Sequence, residues 1–446
     1  MVYYNLIISE QSSFNMKDQL LTVIGGGASG LIAAGCAVMQ YRQNFSRGNN
    51  IKVQILEKMH KPGLKLGITG KGRCNLSNTA PLDDFIEHFR PNPKFLYPAF
   101  NNFFSGELIE FLNQQKVKVK VERGGRIFPQ SDSALQVART LIDWNRKLGV
   151  DINTGNAVQS VKWEKNNLYP FKIMVKQKKS IYLSSAVIIS TGGITYPLTG
   201  SSGDGYKWAQ QLGHRLINPL PDLVGLYIDP QLNWDFQGSV SLKNVMITLS
   251  LEKDIQHREF GEAQLSKNLF EGPVVLKLSR FAVQALQRKQ QVYLYLDLKP
   301  ALSEKQLDRR LIKEFNQQGS KSAVKILKCL IPLKLVDSCL SQTGVPKHLK
   351  GGQLTSIHRK KICQWIKYNR FKVKTCQTPD RAIITAGGVH TDDINPKTMM
   401  SKIIPGLFFS GEIIDYAADT GGFNLQAAFS TGWLAGKSSI EYLNSI

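Results

Sequence analysis

Gly25, Gly27 and Gly30 stand at GxGxxG spacing in the stretch Thr22-Val23-Ile24-Gly25-Gly26-Gly27-Ala28-Ser29-Gly30-Leu31-Ile32-Ala33-Ala34. The chemistry open to them is the holding of a diphosphate. The first glycine lets the chain turn tightly, the second lets backbone come close to the anion, and the third lets a helix pack on a strand. Free N–H groups and the positive dipole end of that helix would hold the charge, with Gly26, Ala28 and Ser29 completing the turn. A second strand, Lys52-Val53-Gln54-Ile55-Leu56, ends at Glu57. A carboxylate there can accept hydrogen bonds from ribose hydroxyls. Glu57 lies 27 residues past Gly30, against about 20 in the usual motif; the polar stretch from Tyr41 to Asn50 accounts for the excess as a longer helix end and loop.

Lys58 follows, and then Lys61-Pro62-Gly63-Leu64-Lys65-Leu66-Gly67-Ile68-Thr69-Gly70-Lys71-Gly72-Arg73-Cys74-Asn75-Leu76-Ser77-Asn78. Its glycines and small polar residues predict an extended loop whose backbone can approach a ligand. Lys58, Lys65, Gly72, Arg73 and Asn75 are its candidate contacts. Cys74 sits between cationic residues that would depress a thiol pKa, so it is the first candidate for a proton donor, against simple packing. Tyr196 is the second.

Two later turns repeat the strand-to-glycine pattern. Ala186-Val187-Ile188-Ile189-Ser190 runs into Thr191-Gly192-Gly193, and Leu407-Phe408-Phe409-Ser410 runs into Gly411-Glu412, expected to close a strand beside the first. A carboxylate at Glu412 can bind a ribityl hydroxyl. Gly421-Gly422-Phe423-Asn424 then opens a helix whose N-terminus would face the flavin edge that becomes anionic on reduction. One glycine turn suffices for a nicotinamide dinucleotide. The joint arrangement points to bound FAD, with no metal-ligand spacing anywhere in the chain.

The elements that must position these residues divide the 446-residue chain. Residues 1–19 read as a leader, with Met16 an alternative start. Residues 20–213 form the first part of an α/β, Rossmann-like FAD domain and include a small meander over 157–190. Residues 214–376 read as an inserted domain, β-rich over 214–300 and helical and basic over 301–376. Residues 377–446 complete the FAD domain, through Ala382 to Gly388 and Leu407 to Glu412 as strands. Pro81 to Gln115 reads as mostly helical, and Ser131 or Asp132 as the cap of a helix through Leu148. No apolar run approaches the ~18 residues a membrane span needs. The six cysteines are scattered without CxxC spacing, which suits a reducing cytoplasm.

Taken together the motifs VIGGGASGL, GLKLGITGKGRCNLSN, GGRIFPQSDSA, STGGITYPLTGSSGDGYKWAQQLGH, TAGGVHTDDINPKTMMSK and PGLFFSGEIIDYAADTGGFNLQAAFSTGWLAG resemble the BaiN/YhiN-like family of NAD(P)/FAD-dependent oxidoreductases, in family order and almost end to end. The resemblance implies an FAD-binding Rossmann domain interrupted by a β-rich domain that carries a helical subdomain. It also implies NAD(P)H as reductant, although no separate second GxGxxG domain is evident. Two substrate classes follow from it, steroid-like enones and uridine in ribosomal RNA, reduced to dihydrouridine. The sequence departs from the family at Lys267, where a histidine is usual, and at Gly67 and Lys71 in the loop before Cys74.

The net charge of +23 weighs between the two classes. From Gly319 to Cys376 there are 13 basic residues and a single acidic one, Asp337. Trp365, Tyr368 and Phe371 are interleaved among them, and cations with stacking aromatics suit a polyanion with unpaired bases. Block 319–376 is therefore the expected ribosomal RNA contact, and a cytoplasmic enzyme reducing a C=C bond in RNA is the favoured reading. The alternatives are reduction of a small enone and a flavin-containing RNA-binding factor without turnover.

Overall fold

The computed structural model describes residues 18–44, 50–176, 180–229, 238–252 and 254–446; the expected leader lies outside them up to residue 17. The chain forms two compact units, one running to Leu220 and resuming over Ile384–Ile446, the other being Pro221–Ile383. The joins fall seven residues later than the composition suggested, at 220 and 383 rather than 213 and 376. The reason is local: the strands Leu216–Asp222 and Ile384–Val389 pair in a two-stranded ribbon, and residues 216–220 and 384–389 of it stay with the first unit.

In that unit the order is β1 (Asp18–Ile24), α1 (Ala28–Asn44), β2 (Asn50–Leu56), α2 (Ala134–Lys147), β3 (Asp151–Asn153), β4 (Ala186–Ile189), α3 (Asp204–Gln211), β5 (Leu407–Phe409) and α4 (Phe423–Ser445). The five strands form one parallel sheet in the order β5-β4-β1-β2-β3. Strands covered on both faces need apolar residues without alternation. Ala186, Val187, Ile188 and Ile189 are accordingly all buried. β5 therefore does not lie beside the first strand: β4 separates them. The Ala382 to Gly388 segment gives the ribbon strand Ile384–Val389, outside this sheet. The meander strands Val158–Trp163, Phe171–Val175 and Ile181–Ser184 form their own antiparallel sheet. Pro81 to Gln115 breaks into short helices at Leu82–Ile86, Tyr97–Asn102 and Ser105–Gln114. The cap of α2 is Ser133, whose hydroxyl accepts from the Gln136 N–H at 3.2 Å.

Helix α4 sits against α1 at backbone distance. A Cβ on Gly432 would collide with the Ser29 carbonyl oxygen, and one on Gly436 with that of Ala33. Two glycines four residues apart share a face of a helix, and here that face carries no side chain. This packing fixes the starts of both helices relative to each other.

The second unit is a closed six-stranded barrel in the order Leu226–Ile228, Leu269–Glu271, Asp254–Ser266, Ser239–Leu251, Val292–Asp297 and Asn369–Cys376. The last two strands pair with each other, Leu294 opposite Phe371. The helices Glu304–Gln317, Ala323–Leu327, Leu333–Thr343 and Ser356–Lys367 are thus inserted between neighbouring barrel strands. They share a core with the barrel: Leu311, Ile326, Leu335 and Ile362 belong to the same buried cluster as Leu294 and Phe371.

Candidate functional site

The glycine turn between β1 and α1 is built as its spacing demands. Gly25 has φ +105°, and a Cβ on it would stand 2.6 Å from the Ser190 carbonyl oxygen. On Gly30 a Cβ would run into the Gly25 carbonyl oxygen, so this glycine seats helix on turn. Gly27 is different. Nothing in the protein lies within 4 Å of the Cβ it lacks, and its carbonyl accepts the Leu31 N–H at 3.0 Å in the first turn of α1. The open space lies at the N–H-rich, positive end of a 17-residue helix, which is the place for an anion.

Glu57 is buried at the end of β2. Its Oε2 accepts the Gly26 N–H at 2.7 Å and its Oε1 the Met59 N–H at 2.8 Å. Burial pushes its carboxyl above the ordinary range in spite of those two donors. The carboxylate thereby fixes the glycine turn, with lone pairs left over for hydroxyl donors. Lys58 turns away to Asp204 at 2.7 Å and to the Ser202 hydroxyl.

Thr191, Gly192 and Gly193 follow β4. The Thr191 Oγ1 is buried and has no hydrogen-bond partner among the described residues. Gly192 has φ +70° and lies beside Ser201, while Gly193 packs on the Thr385 side chain. Gly411, at φ +76°, is pressed onto the Ser29 side chain in the first turn of α1. Glu412 is held from three sides: Lys65 Nζ donates at 2.6 Å, the Thr385 N–H at 2.6 Å and the Thr195 hydroxyl at 3.4 Å. Lys65 also reaches Thr195 Oγ1 at 2.8 Å. Lys65 and Glu412, 347 residues apart, thus form one polar cluster beside the Gly192 turn.

The loop before Cys74 has left-handed backbone at Gly70, Lys71, Gly72 and Cys74. Non-glycine residues in that region cost energy and gather where function needs them. Gly72 is exposed with open space before it. Arg73 is spent on a brace, paired with Glu122 and with Asp132 at 2.7 Å, its guanidinium 4.3 Å from the Phe128 ring centre. Cys74 does not have the acidified thiol its neighbours suggest. It is fully buried, and burial pushes its pKa up to about 12. Arg73, its neighbour in sequence, is turned to Glu122 and Asp132 instead.

At the far turn, Gly422 has φ +101° and a Cβ there would strike the Ser77 carbonyl. The Asn75 side-chain oxygen accepts the Gly422 N–H at 3.1 Å, and Asn78 Nδ2 donates to the Gly421 carbonyl at 3.1 Å. Phe423 is buried against Phe85 and stacked on His88 at 3.9 Å. Asn424 holds both the N–H and the carbonyl of Ala418, at 2.8 and 2.9 Å. Asn75, Phe423 and Asn424 therefore shape the Gly421-Gly422 backbone with their side chains. Tyr196 is half-buried at φ +54°, its carbonyl accepting from Thr199.

Sequence reasoning passed over two titratable groups here. His88 Nδ1 lies 3.1 Å from Asp419 Oδ2 while its ring covers Phe423; a lone histidine in an irregular stretch carries no spacing signal. Asp415 is buried three residues past Glu412, and burial raises its carboxyl to about 6 against the opposing pull of His390 and the Gly387 N–H. An acid raised by folding contributes stability below its unfolded pKa near 3.8 and loses it as pH rises through 6. Asp415→Asn is thus expected to remove a decline of at most about 3 kcal/mol between pH 4 and 7. Urea unfolding of both proteins across that range checks it; parallel pH profiles would refute the assignment.

In the second unit the interleaved aromatics are not the exposed stack that the sequence suggested. Trp365 and Phe371 are buried, with Trp365 Nε1 on Gln342 at 2.9 Å; Tyr368 alone of the three faces solvent, bonded to Glu304. Lys367 also turns inward, to Asp297 at 2.6 Å. Most other cations of the block are exposed. A depression of about 330 Å³ in this unit is lined by Lys243, Lys299 and Lys328 and by no carboxylate.

No helix among the described residues is long and apolar enough to cross a membrane. The chain is 28% identical over 420 residues to the 3-dehydro-bile acid delta(4,6)-reductase of Clostridium scindens, covering 94% of this chain and 98% of that protein. It is 25% identical to the ribosomal RNA dihydrouridine synthase of Escherichia coli, over 95% and 98% of the two chains. The solved 3-ketosteroid delta1-dehydrogenase of Sterolibacterium denitrificans shares the fold, with a TM-score of 0.50 at 14% identity over 96% of this chain and 100% of that one. The HI0933-like protein Rossmann domain matches residues 19–438. Glycine turn, parallel sheet and family match agree: the chain belongs to the HI0933-like Rossmann family.

Proposed function

We propose that the protein is an FAD-dependent oxidoreductase that reduces an activated C=C bond, with uridine in ribosomal RNA as its favoured substrate and NAD(P)H as its reductant. The observation that carries the cofactor is the unfilled space at Gly27 in front of α1, with Glu57 fixed beside it. Bound there, FAD would supply a hydride to one carbon of the double bond. The chain's part is to bind, to orient and to deliver a proton. The α1 N–H groups take the diphosphate, and spare lone pairs of Glu57 take the ribose. The Lys65–Glu412 pair and the Thr191 hydroxyl, which lacks a partner in the described chain, offer donors and acceptors to the ribityl chain. Gly421 and Gly422 present backbone to the ring.

The second carbon of the double bond needs a proton. Cys74, fully buried with its pKa near 12, is poorly suited to give it. Tyr196 and the Asp419-oriented His88 both reach solvent and can be recharged from it. Tyr196→Phe and His88→Asn separate them, the true donor losing turnover while flavin binding stays.

RNA is favoured over a small enone by the density of exposed cations in the second unit and by its lysine-lined depression. Such a substrate places the work in the cytoplasm. The bile-acid reductase relative supports the enone as a second reading. The purified protein is expected to be yellow and to release FAD on denaturation. Nucleoside analysis of ribosomal RNA from a deletion strain is expected to show dihydrouridine lost. Colourless protein that takes up no flavin would sink the flavoenzyme; unchanged dihydrouridine would remove the RNA substrate.

A further inference from the structure

The barrel of the second unit has an outer face that none of the interleaved sequence aromatics announced. In a strand, alternate residues share a face. On Asn369–Cys376 the inward residues are Asn369, Phe371 and Val373, so Arg370, Lys372 and Lys374 point outward and are exposed. On the neighbouring Val292–Asp297, Val292, Leu294 and Leu296 point in, leaving Tyr293 and Tyr295 on the outside. The register sets tyrosine against cation: Tyr293 is opposite Lys372, and Tyr295 opposite Arg370. Arg370 also lies diagonally over the Tyr293 ring, its guanidinium carbon 4.7 Å from the centroid. On the other flank Tyr227, 40% exposed, stands opposite Thr375. A strand with three outward cations thus runs between strands with outward tyrosines. Lys374 Nζ lies 3.6 Å from Asp229 Oδ1.

We propose that this face is a binding track for single-stranded RNA. The inference rests on the RNA reading above and says where the strand lies. A row of cations neutralises successive phosphates of an extended strand, and the same rings and guanidinium offer planes on which unpaired bases stack. A duplex keeps its bases stacked inside and has no use for the tyrosines. A protein partner would have to be acidic, yet an acidic peptide leaves three aromatic planes without a role.

The test uses the full-length, flavin-loaded protein and fluorescein-labelled 12-mer oligouridylate, with duplex RNA and poly-glutamate peptide as competitors, followed by anisotropy over a salt series. Wild type is expected to bind the single strand, with duplex and peptide competing weakly. The triple variant Arg370→Gln, Lys372→Gln, Lys374→Gln should lower the slope of log K against log salt by about 2, at ~0.7 per phosphate contact. Tyr293→Ala with Tyr295→Ala should weaken single-strand binding at least ~5-fold, by loss of base stacking. Tyr293→Phe with Tyr295→Phe should restore it, which separates stacking from general damage. If wild type binds RNA and these variants bind equally well with an unchanged salt slope, the track is wrong and the RNA reading stands. If wild type binds no RNA, both fall. Better competition by the peptide than by the single strand would assign the face to an acidic protein and overturn the proposal.

Discussion

Gly27→Val is expected to yield a protein that folds and melts like the wild type without flavin, yet binds FAD at least about 100-fold more weakly. The residue has no neighbour within 4 Å of the missing Cβ, and its φ lies outside the left-handed region, so a side chain can start there without a clash at Cβ or backbone strain. It projects into the space before α1. Displacing a diphosphate from two N–H donors removes charge-assisted hydrogen bonds worth about 1.5–3 kcal/mol each. That is about 100-fold or more in affinity. Gly30→Val is the contrasting variant, because its Cβ collides with the Gly25 carbonyl oxygen; it should lower the melting temperature of the flavin-free protein as well. Flavin titration by fluorescence and thermal unfolding without flavin separate the two. Normal FAD affinity in Gly27→Val would place the cofactor elsewhere.

Arg280→Leu is expected to destabilise the second unit by about 3–5 kcal/mol, as breaking one partner of a buried pair does. Asp222 and Arg280 stand 2.7 Å apart with side chains 1% and 11% exposed, and Asp222 Oδ1 also accepts the Leu223 N–H at 2.7 Å. Removing the guanidinium leaves a buried carboxylate facing leucine. Adding Asp222→Asn to Arg280→Leu should recover part of the loss by removing that charge. A urea midpoint for Arg280→Leu unchanged from wild type would show that the pair contributes nothing. The pair ties the first residues of the barrel unit to the helix Pro273–Gln287, a link of 58 residues that no sequence pattern announces.

The glycine turns and the parallel sheet were legible because their causes are local. Gly25 is required by its left-handed φ of +105° and Gly30 by a contact with the Gly25 carbonyl in the same turn, and an all-apolar run such as Ala186 to Ile189 is what a strand covered on both faces needs. Family and fold followed from such features. Charges were less legible. The cations around Cys74 suggested an acidified thiol, but sequence neighbours are not spatial ones: Arg73 goes to Glu122 and Asp132, and the thiol packs inward. Trp365 and Phe371 looked like stacking aromatics among lysines, and strand and helix phase turned both into the core.

By itself, then, the sequence determined the GxGxxG turn, the acid after the second strand, the interrupted Rossmann plan and the sign of the charge. The turn and the acid depend on spacing within one strand–turn–helix–strand stretch, the plan on the order of such segments along the chain, and the charge on composition alone. Only the tertiary structure decided that Lys65 and Glu412 meet, that His88 pairs with Asp419 over Phe423, and that the barrel closes through a strand arriving after four helices. Those arrangements join residues tens to hundreds of positions apart. Burial and register select them, and neither is written in any short stretch of chain.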